Sequence, residues 1–219
     1  WENIELISDR KFEIWLDEFK AAKDECPDGV LIASVMEEYN QDAWCELIER
    51  CQDVGVDGFE LNFSCPHGLP ERKMGAAMGQ DPKRVAEVTS WVREVLVDTP
   101  IWAKMTPNIT DITIPAKSAM AGGATGITAI NTILACIGIN LKTLKPQPTV
   151  EGYSTFGGYS YLAVRPIALR MVAQIAASIE GVNISGVGGV NGAAGAIEHM
   201  LVGANTVQSC TGPMLQGFD

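Results

Sequence analysis

A cysteine in a polar, glycine-rich run is the strongest candidate for chemistry in this 219-residue chain. The run Asn62-Phe63-Ser64-Cys65-Pro66-His67-Gly68 directly follows an apolar segment. An ordinary thiol has a pKa of about 8.5 and is mostly protonated at neutral pH. Cys65 is therefore suited to act as a general acid, or as a base once it is ionised. The alternative is that Cys65 is a purely structural thiol. His67 either tunes the acidity of Cys65 or is a solvated loop residue.

Two charged residues and two asparagines also stand in or at the ends of apolar segments. Alternation along a strand places Glu60 beside Asn62 on one face, and it places Lys104 on one face of the next strand. If these faces point inward, Glu60 and Lys104 should pair or bind a ligand. Asn62 and Asn131 end different strands, and their amides offer a donor and an acceptor to a heterocyclic imide or amide ring.

Glycine-rich turns close the last two predicted strands. Gly188-Gly189 follows one of them and Cys210-Thr211-Gly212 follows the other. Backbone N–H groups in such loops commonly hold a phosphate. The turns therefore predict a phosphorylated ligand, although the glycines could serve only to turn the chain.

Hydrophobic periodicity predicts helices and strands in strict alternation. The predicted strands are 30–35, 56–62, 100–105, 126–130, 182–187 and 205–210. The predicted helices begin near Ser8, Asn40, Asp81, Thr110 or Asp111, Val164 and Asn191, and residues 131–161 are irregular. A helix comes first and a strand last. Alternating apolar strands and helices indicate an α/β fold with a parallel sheet.

Two features favour a barrel over an open doubly wound sheet. Polar residues collect at the carboxyl ends of several strands, as in a TIM (β/α)8 barrel. The glycine-rich turn 186–192 does not fit the dinucleotide-binding fingerprint, because Asn191 stands where the third glycine belongs. Since six strands do not close such a barrel, we expect residues 1–219 to be one incomplete TIM (β/α)8 barrel domain. We expect strands 3 to 8 to be present, two βα units to precede Trp1, and the helix after Cys210 to lie beyond Asp219.

Charge and cysteine spacing exclude several classes of function. The formal net charge is -11, which disfavours binding to nucleic acid or to an anionic membrane surface. The uncharged stretch from Ser118 to Leu141 is rich in Gly and Thr, so we interpret it as buried helix end, loop and strand rather than a membrane span. The six cysteines include no C-x-x-C pair, so we expect no metal site. Scattered cysteines fit a reducing, cytoplasmic setting.

A series of short blocks, in order along the chain, resembles one known family. Besides residues 62–68 these blocks are Met74-Gly75, Gly79-Gln80-Asp81-Pro82, Ala103-Lys104-Met105-Thr106-Pro107-Asn108, Asn131-Thr132, Gly157-Gly158, Arg165-Pro166-Ile167-Ala168-Leu169, Gly188-Gly189 and Gln208-Ser209-Cys210-Thr211. Together they resemble the flavin barrel of the dihydropyrimidine dehydrogenases, nearer the bacterial flavin-barrel subunit type, within the dihydroorotate dehydrogenase superfamily. Asn3-Ile4-Glu5-Leu6-Ile7-Ser8 is similar to the substrate-loop segment of that family.

The resemblance implies an FMN enzyme that reduces the C5=C6 bond of uracil or thymine, the first step of pyrimidine catabolism. Hydride would pass from N5 of FMN to C6, and Cys65 would protonate C5. The residues that match the family's pyrimidine contacts are Asn3, Glu5, Ile7, Asn62, Ser64, Asn131 and Thr132. The residues that match its FMN contacts are Asn3, Lys104, Gly158, Gly188, Gly189, Cys210 and Thr211.

The resemblance also implies partners and leaves three alternatives. Electrons would come from NAD(P)H through FAD and 4Fe-4S clusters on other domains or subunits, in an oligomer. We expect this chain alone to bind FMN weakly and to be inactive. The alternatives are a class 1 dihydroorotate dehydrogenase, a flavin-free phosphate-binding barrel in which Cys65 is a spectator, and a non-enzymatic remnant that only packs against partners.

Overall fold

A curled parallel sheet of six strands forms the centre of the computed structural model, which describes residues 1–5, 8–66 and 72–217. The strands in these residues are β1 (Glu2–Asn3), β2 (Ile32–Val35), β3 (Gly58–Asn62), β4 (Ile101–Lys104), β5 (Gly126–Ala129), β6 (Ile133–Ala135), β7 (Gly138–Asn140), β8 (Lys145–Gln147), β9 (Gly157–Tyr159), β10 (Asn183–Val187) and β11 (Thr206–Gln208). The central sheet has the order β11-β10-β5-β4-β3-β2, and all of its pairs are parallel. The α/β class and the parallel sheet are confirmed.

Helices connect these strands and cover the sheet. They are α1 (Phe12–Glu25), α2 (Gln41–Asp53), α3 (Ala76–Gly79), α4 (Pro82–Val95), α5 (Thr113–Ala121), α6 (Arg165–Ser178), α7 (Ala193–Leu201) and α8 (Thr211–Gln216), and a 3-10 turn at Leu162–Val164 leads into α6. The main core lies between sheet and helices, where the largest fully buried side chains include Trp44, Phe59 and Phe63. None of the described helices is long and apolar enough to cross a membrane.

Side-chain caps explain where two of the helices begin. Asn40 Oδ1 accepts a hydrogen bond from the N–H of Ala43 at 3.2 Å, and α2 starts at Gln41, directly after Asn40. Asp81 Oδ1 accepts from the N–H groups of Lys83 and Arg84 at 3.1 and 3.3 Å, with Pro82 at the first helical position. Both caps satisfy donors that have no partner inside the helix, and both predicted starts are confirmed.

Two predicted helix starts are displaced. Helix α1 begins at Phe12 with Lys11 as its N-cap, because the Ser8 hydroxyl accepts instead from the N–H of Arg10 in a local turn at 3.2 Å. Helix α5 begins at Thr113, although Asp111 Oδ1 does accept from its N–H at 2.9 Å. In both cases a short polar side chain closes a turn just before the helix, and the N-cap residue itself makes no side-chain capping bond.

The predicted irregular stretch 131–161 contains regular structure. Strands β6 and β9 pair antiparallel, β1 adds to the other side of β9, and β7 pairs with β8. The prediction that a helix comes first is therefore wrong, since β1 precedes α1. A short helix, α8, also begins at Thr211, whereas the helix after the last strand was expected to lie beyond Asp219. Strands of two or three residues are too short for a periodic signal, and β1 pairs with a segment far away in sequence.

The strand register brings polar side chains to one edge of the sheet. Asn62 lies opposite Lys104, and Lys104 lies opposite Thr128. Val187, which precedes Gly188, lies opposite Gln208. Parallel strands end on the same side, so the residues after β3, β4, β5, β10 and β11 surround one region.

Gly79 allows α3 to lie directly against the chain that carries Cys65. A Cβ at this position would overlap the carbonyl oxygen of Phe63. We expect Gly79→Ala to lower the free energy of unfolding by about 3 kcal/mol, because the backbone on either side must move. Urea denaturation checks this.

Gly55→Ala is the matched control for this prediction. Gly55 has a φ of +88° and open space around its missing side chain, so alanine there should cost only about 1 kcal/mol through backbone strain. Alanine normally stabilises a helix relative to glycine. If the stability of Gly79→Ala were unchanged or raised, this would contradict the close approach of Gly79 to the backbone of Phe63.

Candidate functional site

A cavity of about 260 Å³ opens at the carboxyl edge of the central sheet. Its lining includes many of the predicted site residues: Asn3, Lys104, Asn131, Thr132, Gly188, Gly189, Cys210 and Thr211. They come from β1, from the end of β4 and from the segments after β5, β10 and β11. Residues far apart in sequence thus meet in one place. Small-molecule sites usually enclose about 300 to 1,000 Å³, so the volume of this cavity lies just below that range.

A network of amides and a hydroxyl stands beside this cavity. Asn131 Nδ2 donates to Asn62 Oδ1 at 3.2 Å and to Ser64 Oγ at 2.7 Å. Ser64 Oγ and the N–H of Ser64 both donate to Asn62 Oδ1, at 2.9 and 3.2 Å. The N–H of Thr132 donates to Asn131 Oδ1 at 2.7 Å. Ends of two strands therefore present a pre-ordered set of donors and acceptors for a polar ring.

Cys65 lies next to this network but not on the cavity lining. Its side chain is 6% exposed and packs with Met36 and Met74 in a small cluster separate from the main core. Its carbonyl oxygen accepts from the N–H of Ala76 at 3.0 Å, which ties it to α3. A Cβ placed on Gly158 would lie 3.3 Å from Cγ of Pro66, the following residue. His67 lies outside the described residues.

Two other predicted positions, Gly158 and Glu5, lie in or beside β9 and β1. Gly158 pairs with Asn3, and a Cβ on it would overlap the hydroxyl of Thr132, so glycine lets β9 approach the network. The N–H of Glu5 donates to Asn3 Oδ1 at 2.8 Å, and Glu5 itself is exposed and absent from the cavity lining. Ile7 lies outside the described residues.

An ion pair sits beneath the cavity. Lys104 Nζ lies 2.8 Å from Glu60 Oε1, and the Glu60 side chain is 7% exposed. The other carboxylate oxygen accepts from Thr128 Oγ1 at 2.9 Å and from Gln208 Nε2 at 2.7 Å. Glu60 and Lys104 do pair, as their strand positions predicted. Neither Thr128 nor Gln208 was predicted as a site residue, although a polar side chain inside an apolar strand was an available signal.

The Glu60 carboxylate stays charged despite its burial. Burial alone would raise its pKa, but the Lys104 charge and the hydrogen bonds from Gln208, Lys104 and Thr128 outweigh that effect and hold the pKa of Glu60 below its ordinary value. A charged lysine and a charged glutamate thus lie side by side at the site, and the lysine presents a fixed cation to the cavity.

The loop after β10 brings bare backbone to the cavity. Gly188 and Gly189 have φ values of +125° and +75°, a region that side chains other than glycine rarely adopt. A Cβ on Gly188 would come within 2.8 Å of the Cβ of Ala168. Across the cavity, the hydroxyls of Ser160 and Thr211 lie 3.0 Å apart. This glycine loop and the hydroxyl of Thr211 form a cradle suited to an anion.

Asn108 joins loops around the site, although the sequence analysis placed it only in a block of family resemblance and gave it no role. Its Nδ2 donates to the carbonyl of Thr132 at 3.3 Å, and its Oδ1 accepts from the N–H of Leu134 at 2.9 Å. Gln80 Nε2, beside α3, donates to the carbonyl of Asn108 at 2.6 Å. The segment that carries Asn131 and Thr132 is therefore tied to the segment that follows Cys65.

No group of three or more potential metal ligands occurs within residues 1–5, 8–66 and 72–217. The groups at the cavity that could bind a ligand are therefore the Lys104 cation, the amide network beside it and the glycine loop.

Comparison with known proteins agrees with this geometry. A family model for dihydroorotate dehydrogenase matches residues 10–219. The chain is similar to dihydropyrimidine dehydrogenase (NADP(+)), chloroplastic, of Arabidopsis thaliana, with 57% identity over the whole chain and 52% of that protein. It is 40% identical to the NAD-dependent dihydropyrimidine dehydrogenase subunit PreA of Escherichia coli K12, over the whole chain and 53% of that protein. The chain spans about half the length of these curated relatives.

One further match carries a different enzyme name, and another has a much lower sequence identity. The catalytic subunit of dihydroorotate dehydrogenase B (NAD(+)) of Alkaliphilus metalliredigens is 42% identical over 75% of this chain and 51% of its own. Among solved structures, the dihydroorotate dehydrogenase of Eimeria tenella, in complex with ferulenol, aligns with a TM-score of 0.73 and 18% identity. That alignment covers 92% of this chain and 59% of the other, and it supports the fold alone.

Proposed function

Since the chain belongs to the dihydroorotate dehydrogenase family, we propose that it forms the FMN-binding part of an oxidoreductase that reduces the C5=C6 bond of uracil or thymine. The product is the 5,6-dihydropyrimidine. The observation that carries the proposal is the network of Asn62, Ser64 and Asn131 beside a cavity that contains Lys104. The relatives named as dihydropyrimidine dehydrogenases support it. The six parallel strands correspond, in this proposal, to strands 3 to 8 of a (β/α)8 barrel.

In this proposal, FMN meets suitable groups at both of its ends. The backbone of Gly188 and Gly189, with the hydroxyl of Thr211, would hold the phosphate, because space and dihedral angles there exclude side chains. Lys104 would face the pyrimidine edge of the ring system, and Asn3, Gly158 and Cys210 would complete the contacts. FMN, when bound, supplies the hydride that passes from its N5 to C6 of the substrate.

The pyrimidine would be recognised by complementary hydrogen bonds. Uracil carries N–H donors and C=O acceptors around its ring, and the amides of Asn62 and Asn131 offer both kinds of group. Ser64 and Thr132 add a hydroxyl and a backbone group on the same side, and Asn3, Glu5 and Ile7 would contribute from the amino-terminal segment. The bonds among Asn62, Ser64 and Asn131 hold these groups ready before a substrate arrives.

Cys65 would complete the reduction by giving a proton to C5. Hydride addition at C6 leaves a pair of electrons at C5, which takes the proton from the thiol, so that hydrogen is added across the double bond. The burial of Cys65 with Met36 and Met74 keeps bulk water away from the thiol. Its neighbour Ser64 accepts a hydrogen bond from Asn131, one of the residues that would hold the ring.

The electrons would come from outside these residues. We assign NAD(P)H, FAD and 4Fe-4S clusters to other domains or subunits of an oligomer, in line with relatives twice as long and with a relative named as a subunit. A reducing compartment, the cytoplasm or an organelle such as that of the plant relative, accommodates the six scattered cysteines.

Dihydroorotate dehydrogenation is the second candidate, favoured by the match to the Alkaliphilus protein. Its substrate carries a carboxylate as well as the ring. Lys104 is the cation among the described lining residues of the cavity, and Glu60 already neutralises it at 2.8 Å. The charge at the site therefore favours a neutral pyrimidine.

A single-turnover experiment tests the proposal. The full-length protein that contains this chain is loaded with FMN, reduced with dithionite, freed of excess reductant and mixed without oxygen with uracil, thymine or orotate. We expect the oxidised flavin spectrum to return with uracil or thymine and not with orotate. Return with orotate alone would show the second candidate to be correct, and failure of FMN to bind would indicate a flavin-free barrel.

A further inference from the structure

His199 lies directly behind the glycine loop and is absent from the cavity lining. It stands near the end of α7, and its side chain is completely buried. Its Nε2 lies 3.1 Å from the carbonyl oxygen of Gly188. Its Nδ1 is buried as well and has no hydrogen-bond partner among the described residues.

These contacts determine the state of the ring. A carbonyl oxygen only accepts, so Nε2 must carry the hydrogen that joins His199 to Gly188. The unpartnered Nδ1 then holds a lone pair. Burial lowers the pKa of His199, and the bond to Gly188 offsets this only in part, so the ring is a neutral donor through Nε2. A Cβ on Gly186 would come within 2.6 Å of Nδ1, so only glycine at position 186 leaves space for this edge of the ring.

The bond from His199 also orients the next amide. In a trans peptide the C=O and the following N–H point in opposite directions. The carbonyl of Gly188 points back to His199, which is outside the cavity, so the N–H of Gly189 points away from His199. Gly188 and Gly189 both line the cavity, and the N–H of Gly189 makes no bond within the described part of the chain. Because glycine permits many backbone conformations, this peptide would otherwise turn over easily.

We propose that His199 is a positioning residue that holds the Gly188–Gly189 peptide with the N–H of Gly189 directed at the phosphate of the bound flavin. This inference rests on the proposed function, since it assigns a role in holding that ligand. His199 touches neither ligand nor substrate; it acts only through the backbone.

Paired amide substitutions test the role of the hydrogen. His199→Gln places a donor near the position of Nε2, whereas His199→Asn carries the same amide one methylene shorter and cannot reach Gly188. Dissociation constants for FMN and for riboflavin, which lacks the phosphate, are measured by quenching of flavin fluorescence. We expect His199→Asn to weaken FMN binding about five- to tenfold and to leave riboflavin binding unchanged, as the loss of one hydrogen bond predicts. His199→Gln should keep the wild-type ratio of the two constants.

Equal losses for FMN and riboflavin, or an unchanged ratio in His199→Asn, would overturn the proposal. If the Asn variant does not fold, His199→Met replaces it as a side chain of similar size without a donor. If the wild-type protein binds neither flavin, the proposed function fails, and a second readout still decides the role of His199. The amide resonance of Gly189 should then shift on addition of inorganic phosphate in wild type and His199→Gln and stay unshifted in His199→Asn; shifts of equal size in all three would contradict the proposal.

Discussion

Cys65→Ala is expected to slow the reoxidation of reduced flavin by uracil by roughly 100- to 10,000-fold, the range over which a positioned general acid contributes. The proton for C5 must come from a group beside the ring, and the burial of Cys65 excludes water as a ready substitute. Stopped-flow absorbance of the flavin, measured in the single-turnover experiment above, checks the rate. Cys65→Ser should also be slow, because a hydroxyl is a much weaker acid than a thiol.

Binding of uracil provides the control for this prediction. The network of Asn62, Ser64 and Asn131 remains in Cys65→Ala, so the affinity for uracil should change little. Cys26→Ala, at an exposed cysteine remote from the site, should have the wild-type rate. A Cys65→Ala protein that turns over at the wild-type rate would show that another group supplies the proton.

Glu60→Ala is expected to lower the free energy of unfolding by about 3 to 5 kcal/mol, the usual cost of leaving one partner of a buried ion pair alone. The substitution strands Lys104 and also removes the acceptor of Thr128 and Gln208. Urea denaturation near pH 7 measures the loss. Glu46→Ala is the matched control, because Glu46 pairs with Arg50 at 3.5 Å with 70% of its side chain exposed; we expect a change of at most about 0.5 kcal/mol there.

The same pair predicts a dependence on pH. The pKa of Glu60 is lower in the folded protein than its ordinary value of 4.5. Its contribution to stability is therefore fully present above that value and is lost as the pH falls through the lower pKa of the folded state. The difference in stability between wild type and Glu60→Ala should be constant at neutral pH and shrink as the pH falls below the ordinary pKa of 4.5 and through the lower pKa of the folded state. A difference that grows on acidification would contradict the charged state of Glu60.

Much of the fold followed from local signals. The strands β2, β3, β4, β5, β10 and β11 lie within the predicted ranges, since each is a short apolar run bounded by turn residues. The caps at Asn40 and Asp81 follow from side chains that bond to their own neighbouring backbone. Alternation along two adjacent strands predicted that Glu60 and Lys104 pair or bind a ligand, because a buried charge requires a partner, and the structure shows that they pair.

Other parts of the site depend on contacts that no local pattern contains. The strand β1 forms because it meets β9, more than 150 residues away in the chain. The bonds of Asn108 to Thr132 and Leu134, and of His199 to Gly188, join loops and layers rather than neighbours. Asparagine and histidine are common in turns and helices, so neither residue type revealed such a role in advance.

The sequence by itself determined the six strands of the parallel sheet, the longer helices between them and the polar residues at the carboxyl edge of the sheet, because periodicity and strand direction depend on neighbours along the chain. Only the tertiary structure decided which polar groups face the cavity and which hold others in place. It placed Cys65 beside the amide network rather than on the cavity lining, gave Glu60 its additional partners Thr128 and Gln208, and set His199 behind the glycine loop. The physical reason is that a hydrogen bond requires both groups within about 3.5 Å in a suitable direction, and only the packing of sheet, helices and loops sets those distances.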